Sequence, residues 1–356
     1  MDFGLSDEQR LLQETLRGFA AKECPAARRR ELFEAGGGDE TLWRGLCELG
    51  LAGLAVPEAH GGSGLGVLDL ALCSEVLGEA ALPSSFFSHA LASLALAWGG
   101  SPEQCSRWLP RLATGDVRGC AALAEAGDRW QPESWRASLE GGRLGGEKTP
   151  VEGAIGAGLF VVGTAGGGLA LVEADHAGIE PIDALDRTRS LAALRFDHAP
   201  AEALAGGAEA APRVRDAALA MLAADAFGAA WQMLRMTLGY VGQREQFGAP
   251  LAQFQAVKHQ LANAATELEP GRGLLWYAAH AVDALPESAP HAAAQAKAHL
   301  GDCAVRAARE CVELHGGIGY TWESDLQIWF KRVLFDRGHL GNPEAQRERV
   351  AALRGW

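Results

Sequence analysis

The first part of the chain carries apolar residues at three- and four-residue spacing, which is typical of amphipathic helices. Ser6-Asp7-Glu8-Gln9 fits a capping box and predicts that the first helix begins there. The same periodicity predicts further helices at about 39–50, 66–81 and 102–115. The buried face of the first helix would hold Leu11, Leu12, Leu16 and Phe19.

The pattern changes near Gly119, and from there to about residue 205 short apolar runs alternate with glycine turns. Leu159-Phe160-Val161-Val162 and Leu169-Ala170-Leu171-Val172 flank Gly166-Gly167-Gly168, as two strands flank a hairpin turn. Ala192-Ala193-Leu194-Arg195-Phe196 fits another strand. This segment therefore predicts a small antiparallel β domain built from hairpins.

Long helical periodicity returns from about residue 211 and predicts four long antiparallel helices joined by short turns. We expect these helices at about 212–243, 252–284, 288–314 and 323–338. The predicted fold is therefore mainly α with a β domain. Its parts are an N-terminal helical domain (1–118), a middle antiparallel β domain (119–205) and a C-terminal four-helix bundle (206–356).

Composition narrows the class of protein. The 356 residues are 48% apolar and 22% charged, as expected for a globular chain of two or three domains. A net charge of −13, with no basic stripe, argues against a nucleic-acid partner. The acidic N-terminus does not resemble a targeting segment, and no apolar run approaches the roughly 20 residues of a membrane span. We therefore expect a cytoplasmic protein without membrane insertion.

The seven cysteines are far apart, and no two stand at C-x-x-C spacing. This argues against a zinc site, any other metal site and a dithiol redox pair. Reduced, mostly buried thiols are the expectation.

Three glycine-rich stretches are candidates for binding. Gly62-Ser63-Gly64-Leu65-Gly66 lies between predicted helices and lacks the preceding strand of a Rossmann fingerprint, so dinucleotide binding of that kind is not expected. Gly166-Gly167-Gly168 fits a hairpin turn. The glycines of His315-Gly316-Gly317-Ile318-Gly319-Tyr320 would let backbone N–H groups approach an anion.

A fourth stretch, Arg244-Glu245-Gln246-Phe247-Gly248, stands at the corner between two bundle helices. Its arginine could neutralise a pyrophosphate while its phenylalanine packs on an aromatic base. Each of these stretches, taken alone, is also explained as a turn between helices. Their presence together in one bundle favours a binding role.

With Val56-Pro57-Glu58 and Gly61-Gly62-Ser63-Gly64, these two bundle stretches resemble the marks of the acyl-CoA dehydrogenase family, and the domain order is also similar. The resemblance implies FAD held between the β domain and the bundle, and an acyl-CoA substrate. A carboxylate would remove the α-proton while the β-hydrogen leaves as hydride to the flavin. Electron-transfer flavoprotein would be the expected acceptor.

The resemblance also implies that part of each subunit binds the adenine and pyrophosphate half of a neighbouring subunit's FAD. The matching positions here are Arg244, Phe247, Gln255, Gly316 and Gly317. Glu313 stands where the family usually has a glutamine, and a charged carboxylate there would repel phosphate.

Positions that would serve the chain's own flavin depart from the family pattern. The family's Thr-Glu-Pro signature corresponds to Ala124-Glu125-Ala126, so the threonine that hydrogen-bonds the flavin is replaced by alanine. Farther along, an aromatic residue and a threonine of the family correspond to Pro150 and Glu152.

The catalytic base is also missing. In the family it is commonly a glutamate directly before Gly-Thr-Ser, and the corresponding residue here is Leu340. Some relatives carry the base early in the first bundle helix, where this chain has Ala218 and Leu219. A well-placed base contributes about 10²–10⁴-fold in rate, so we predict no catalytic residue in this chain. Surface, capping or structural roles are expected for Asp216, Glu323, Glu344, His259 and His315.

The leading hypothesis is a non-catalytic subunit of a hetero-oligomeric, FAD-dependent acyl-CoA dehydrogenase, with a homologous subunit as partner and a steroid side-chain or other bulky acyl-CoA as substrate. One alternative is a homo-oligomeric dimer or tetramer whose catalytic carboxylate is displaced. Another is a FAD-free acyl-CoA-binding protein, and lyase or oxygenase chemistry on the same fold also stays open.

Overall fold

The computed structural model describes residues 4–38 and 40–356. Helices come first, two sheets lie in the middle and a helical bundle follows, which confirms the predicted fold class. The helices before the sheets are α1 (Asp7–Glu23), α2 (Ala26–Ala35), α3 (Glu40–Glu48), α4 (Val67–Ala80), α5 (Phe86–Gly99) and α6 (Pro102–Thr114).

Local sequence signals explain where several of these helices begin. Ser6 and Gln9 form the predicted capping box of α1, and Ser101 with Gln104 forms a second one at α6. Helix α5 was not predicted because it is almost entirely apolar and buried, so it shows no amphipathic period. Helix α2 was also missed, since its run of charged residues hides the single buried Phe33.

Two four-stranded sheets form the middle part. Their orders are β1-β4-β5-β8 and β2-β3-β7-β6, and a second core cluster of buried side chains lies between them. The strands are β1 (Gly119–Ala122), β2 (Ser138–Glu140), β3 (Arg143–Glu152), β4 (Leu159–Thr164), β5 (Gly168–Glu173), β6 (Gly178–Ile182), β7 (Leu191–Pro200) and β8 (Glu202–Ala203).

The predicted hairpin is present, since Thr164 pairs with Gly168 across a turn in which Gly166 and Gly167 have positive φ. One strand pair differs from the prediction, because β1 and β4 run parallel. The chain visits the other sheet through β2 and β3 before it returns as β4, so the two neighbours are not a hairpin. The remaining pairs of the described strands are antiparallel.

The C-terminal part is a bundle of long helices, as predicted. The prediction of one helix at 252–284 is wrong, because the helix is interrupted at Glu269. Pro270 has no N–H to donate, and a continuous helix would require that hydrogen bond. A short hairpin, β9 (Glu245–Gln246) and β10 (Ala249–Pro250), follows the first helix. The helices are α7 (Gly207–Gln243), α8 (Gln255–Leu268), α9 (Pro270–Ala284), α10 (Ala289–His315), α11 (Leu326–Gly338) and α12 (Pro343–Arg354).

Helix α7 is the centre of the fold and packs against α4, α10 and α11. Within the described residues it is the one helix long and apolar enough, by length and composition, to cross a bilayer. However, 89% of its most apolar window is buried inside the protein, as in a core helix.

Candidate functional site

Three of the predicted binding residues lie where α7 turns into α8. Arg244 directly follows α7, Phe247 is at the tip of the β9–β10 hairpin, and Gln255 is the first residue of α8. All three are exposed, and the Phe247 ring is 93% exposed with only an edge contact to Phe254 at 6.1 Å. No described residue pairs with the Arg244 guanidinium, so a cation and a ring are presented to the outside.

The double glycine lies at the end of α10. Gly316 has a positive φ of 64°, and a Cβ added at Gly316 or Gly317 would meet no atom within 4 Å. Their backbone is therefore open on the outer side. Glu313, one turn earlier, is exposed as well.

Tyr240 joins these two regions. Its ring stacks on His315 with centroids 4.3 Å apart, and its hydroxyl donates to the His315 carbonyl oxygen at 3.3 Å. His315 Nδ1 also lies 2.8 Å from the Cys311 carbonyl, which gives this histidine the structural role expected. Because Tyr240 is one turn before Arg244, the arginine and the glycines lie at the same end of the bundle.

A separate cleft of about 460 Å³ opens between the sheets and α11. Ala124, Pro150 and Leu340 line it, so its walls are largely apolar. The cleft contains the carboxyl group of Glu125, which accepts hydrogen bonds from Lys148 Nζ at 2.7 Å and from the backbone N–H of Arg136 and Ala137. These hydrogen bonds occupy the Glu125 carboxylate, so it is not free to act as a base.

Leu340 stands on a hydrogen-bonded loop between α11 and α12. Its side chain is 5% exposed and its φ is +53°, followed by Gly341 at +89°. The buried Lys297 ammonium donates to the carbonyl oxygens of Arg337 and Gly341 at 3.0 and 3.2 Å, and Gln346 donates to the Leu340 carbonyl at 2.9 Å. The loop thus fixes an apolar side chain in the wall of the cleft.

Behind this wall lies a chamber of about 10 Å³, lined by Ser88 of α5, Glu152 at the end of β3, His339 and Leu340. Glu152 is 2% exposed, and neither carboxyl oxygen has a hydrogen-bond partner within the usual distance among the described residues. Burial raises the pKa of Glu152 to about 7, although the nearby Arg189 and Arg332 oppose this effect. The sequence alone showed only a replaced threonine here, and nothing in it indicated burial.

His339 is not a proton donor for the chamber at neutral pH. Burial, together with the charges of Arg189 and Lys297, lowers the pKa of His339 to about 3. Its ring stacks on Phe335 with centroids 4.8 Å apart. The histidine is therefore a neutral packing residue.

A buried ionic cluster lies next to the chamber. Arg332 binds both carboxylate oxygens of Asp225 at 2.6 and 2.7 Å, and Arg189 binds Asp336 at 2.7 Å. Burial and the charge of Asp225 raise the pKa of Asp336 well above its usual range. Arg332 also donates to the Leu82 carbonyl, so the cluster ties the N-terminal helices, the sheets and the bundle together.

The carboxylates considered as substitute bases do not line the cleft or the chamber. Asp216 is buried, not at the surface as expected, and pairs with Arg215 and Arg349. Glu344 pairs with Arg337 at 2.9 Å on the surface, and Glu323 is exposed. Ala218 and Leu219, at the alternative base position, are buried within α7.

The described residues contain no group of three or more potential metal ligands from His, Cys, Asp and Glu. The cysteines are free, and all but the half-exposed Cys47 are buried, which confirms the expectation of buried thiols. Burial raises the pKa of Cys47 to about 11, so it is not a reactive thiolate.

Comparisons with known proteins agree with this architecture. The family model "Acyl-CoA dehydrogenase, N-terminal domain" matches residues 6–116, and "Acyl-CoA dehydrogenase, C-terminal domain" matches residues 215–353. The acyl-CoA dehydrogenase IpdE2 of Mycobacterium tuberculosis is 34% identical over 329 residues, which cover 92% of this chain and 91% of that protein.

Two solved structures are similar over nearly the whole chain. The Tcur3481-Tcur3483 steroid ACAD G363A variant has a TM-score of 0.91 and 34% identity, with 98% of each chain covered. A glutaryl-CoA dehydrogenase from Mycobacterium smegmatis in complex with FADH2 has a TM-score of 0.87 and 26% identity, and covers 99% of this chain and 96% of that one. From the family models, the relative and the shared fold, the chain belongs to the acyl-CoA dehydrogenase family of flavoprotein oxidoreductases.

Proposed function

We propose that this chain is a non-catalytic subunit of a hetero-oligomeric acyl-CoA dehydrogenase. It takes part in the FAD-dependent α,β-dehydrogenation of an acyl-CoA thioester, while a homologous subunit supplies the base. The observation that carries the proposal is Leu340, a buried apolar side chain fixed on its loop at the position that corresponds to the family's glutamate. A leucine cannot accept the α-proton.

The outer face of the bundle supports the other half of the proposal. We define the donor face as Arg244, Phe247, Gln255, Gly316 and Gly317, which are exposed. An unpaired guanidinium suits a pyrophosphate, an exposed ring suits an adenine, and open glycine backbone suits close approach to phosphate. These residues fit the adenine and pyrophosphate half of a partner's FAD. Glu313 and Glu245 are carboxylates there that oppose phosphate, and their exposure lets solvent screen them.

The chain's own cleft fits a flavin poorly. Ala124 offers no hydroxyl, Glu125 is engaged by Lys148, and Asp128 is exposed at the rim. Bound FAD supplies a hydride acceptor, and in this proposal that chemistry belongs to the partner's site. The paired name Tcur3481-Tcur3483 in the similar structure supports an assembly of two gene products, and its description as a steroid ACAD favours a steroid or other bulky acyl-CoA.

The rest of the proposed setting follows from the family. Electron-transfer flavoprotein is the proposed electron acceptor, and the cytoplasm is the proposed compartment. Oligomerisation as a dimer or tetramer would cover the exposed Phe247, which is otherwise a large apolar group in water.

Co-expression tests the proposal directly. The chain is purified alone and together with a homologous subunit that keeps the glutamate before Gly-Thr-Ser. We expect the lone chain to show little flavin absorbance and no acyl-CoA oxidation, and the pair to show both. Full FAD occupancy and turnover by the lone chain would contradict the proposal. Acyl-CoA binding without flavin in either preparation would favour the FAD-free binding protein.

A second candidate function is a homo-oligomeric dehydrogenase with a displaced base, and the unpartnered Glu152 carboxyl favours it. Glu152 shares the chamber with Leu340, so its carboxyl lies close to the position that the base would occupy. If the lone chain oxidises acyl-CoA, Glu152→Gln should abolish turnover while Glu323→Gln, at an exposed site, should not. Equal turnover of both variants would exclude Glu152 as the base.

A further inference from the structure

A cavity of about 610 Å³ lies between the N-terminal helices and the sheets. Its walls come from the α2–α3 link, the start of α5, the residue before β1 and the β6–β7 link. It contains neither Leu340 nor Glu152 and is therefore separate from the chamber described above. The proposed dehydrogenase function does not use this cavity.

Arg118 is the central cation of this cavity. Its side chain is 9% exposed, and its guanidinium lies 4.9 Å from the centre of the Trp43 ring. Its Nε has no hydrogen-bond partner among the described residues. Gly156 makes room for the guanidinium, because a Cβ there would come within 2.8 Å of Nη1. The structure thus keeps a buried cation at the cavity wall, and among the described residues it pairs with the Glu40 carboxylate.

The carboxylate that Arg118 does bind is weakly held. Glu40 accepts from Arg118 Nη2 at 2.8 and 2.9 Å, yet its side chain is 72% exposed. A second pair at the rim, Arg187 with Asp183, is exposed in the same way, since Asp183 is 80% exposed. The exposed Arg187–Asp183 pair contributes only about 0–1 kcal/mol, and the exposed Glu40 carboxylate can move into solvent when a ligand anion takes its place on Arg118.

The N-terminus of α5 faces the same cavity. Ser84 and Ser85 line it, and the Ser85 side chain makes no capping hydrogen bond to the helix. The 14-residue helix therefore directs the positive end of its dipole towards the cavity. Among the described lining residues, Arg118 and Arg187 pair with the exposed carboxylates Glu40 and Asp183, while Arg189 is bound by the buried carboxylates Asp225 and Asp336.

We propose that this cavity binds a phosphate group, either inorganic phosphate or the phosphate of a small monoester. The Arg118 guanidinium provides charge-assisted hydrogen bonds from its Nη groups. The N-terminus of α5 and the hydroxyls of Ser84 and Ser85 provide the remaining donors. The volume leaves room for an organic group larger than the phosphate itself.

Titration calorimetry with inorganic phosphate, together with ³¹P NMR, tests the site on the full chain. We expect saturable binding by the native protein and a loss of about tenfold or more with Arg118→Gln, since one charge-assisted hydrogen bond contributes about 1.5–3 kcal/mol. Arg107→Gln is the matched control, because Arg107 also stacks on a tryptophan and pairs with an exposed glutamate but faces no cavity. Equal losses in the two variants, or no saturable binding by the native chain, would overturn the proposal.

Glu40→Gln provides a test in the opposite direction. It removes the competing carboxylate and leaves Arg118 in place, so we expect phosphate to bind a few-fold more tightly, by about 1 kcal/mol or less. This variant keeps the experiment informative if Arg118→Gln fails to fold. Unchanged or weaker binding by Glu40→Gln would overturn the proposal, and so would acetate displacing phosphate at equal concentration, because the site would then be a general carboxylate site.

Discussion

Leu340 and Glu152 line the same chamber of about 10 Å³, although Glu152 ends β3 in the middle part and Leu340 lies on the loop between α11 and α12. The space holds at most about one water molecule, so a substrate cannot reach Glu152 through this chamber in this arrangement, whereas Leu340 also faces the larger cleft. The proposed correspondence thus places an apolar residue at the family's base position, and the Glu152 carboxyl is buried behind it. This pairing is the structural basis for assigning catalysis to another subunit.

Leu340→Ala should therefore weaken the fold without changing catalysis. Removing a buried leucine side chain costs about 2–5 kcal/mol of unfolding free energy, because it leaves a cavity. The turnover of the proposed hetero-oligomer, per assembled complex, should stay within about twofold of the native value, since the proposal places the base in the partner. Denaturant unfolding and steady-state kinetics measure the two effects. A large drop in turnover of the intact complex would show that this loop takes part in the reaction.

Glu152 should make stability depend on pH. Burial holds its pKa at about 7 in the folded chain, against an ordinary value of 4.5. Between these values the folded chain keeps a proton that the unfolded chain releases, so stability falls as pH rises through this window. Below about pH 4.5 the unfolding free energy has lost nothing from this effect. Above about pH 7 the loss of unfolding free energy is complete, on the order of 3 kcal/mol. The measurement is unfolding free energy at several pH values from 5 to 8.

Glu152→Gln does not titrate and should lose that slope, whereas Glu323→Gln should keep it. The glutamine also retains hydrogen-bonding capacity in the chamber, so the variant separates ionisation from packing. Identical slopes for the native chain and both variants would show that Glu152 is ionised in the folded state throughout this range.

The donor face and the absent base are predictions that depend on residue identity at positions within recognisable motifs. The sequence did not predict the buried state of Glu152 or of Asp216. Both are charged residues, which usually lie at the surface, and only tertiary packing places Glu152 against α5 and Asp216 between Arg215 and Arg349. Helix α5 escaped prediction for a related reason, since burial on all sides erases the amphipathic pattern.

Phe247→Ala should separate cofactor retention from folding. The ring is 93% exposed, so the variant should change the unfolding free energy of the lone chain by less than about 0.5 kcal/mol. In the hetero-oligomer we expect a several-fold loss of FAD affinity, because aromatic contact with a base contributes about 1–3 kcal/mol. Flavin fluorescence during dilution measures the loss. Tyr277→Ala, at a 49% exposed aromatic residue of α9 outside the donor face, is the control and should retain FAD.

The Asp225–Arg332 pair should strongly stabilise the packing of the three parts of the chain against one another. Arg332→Met removes both bonds to Asp225 and the donors to Thr188 and Leu82, and it leaves a carboxylate in a buried site. Breaking one partner of a buried ion pair costs about 3–5 kcal/mol, whereas Arg107→Met at the exposed pair with Glu202 should cost about 0–1 kcal/mol. Parallel denaturant unfolding of the two variants measures this contrast. Similar losses of unfolding free energy in the two variants would mean that Arg189 alone compensates the Asp225 charge, and that the packing of the three parts does not depend on Arg332.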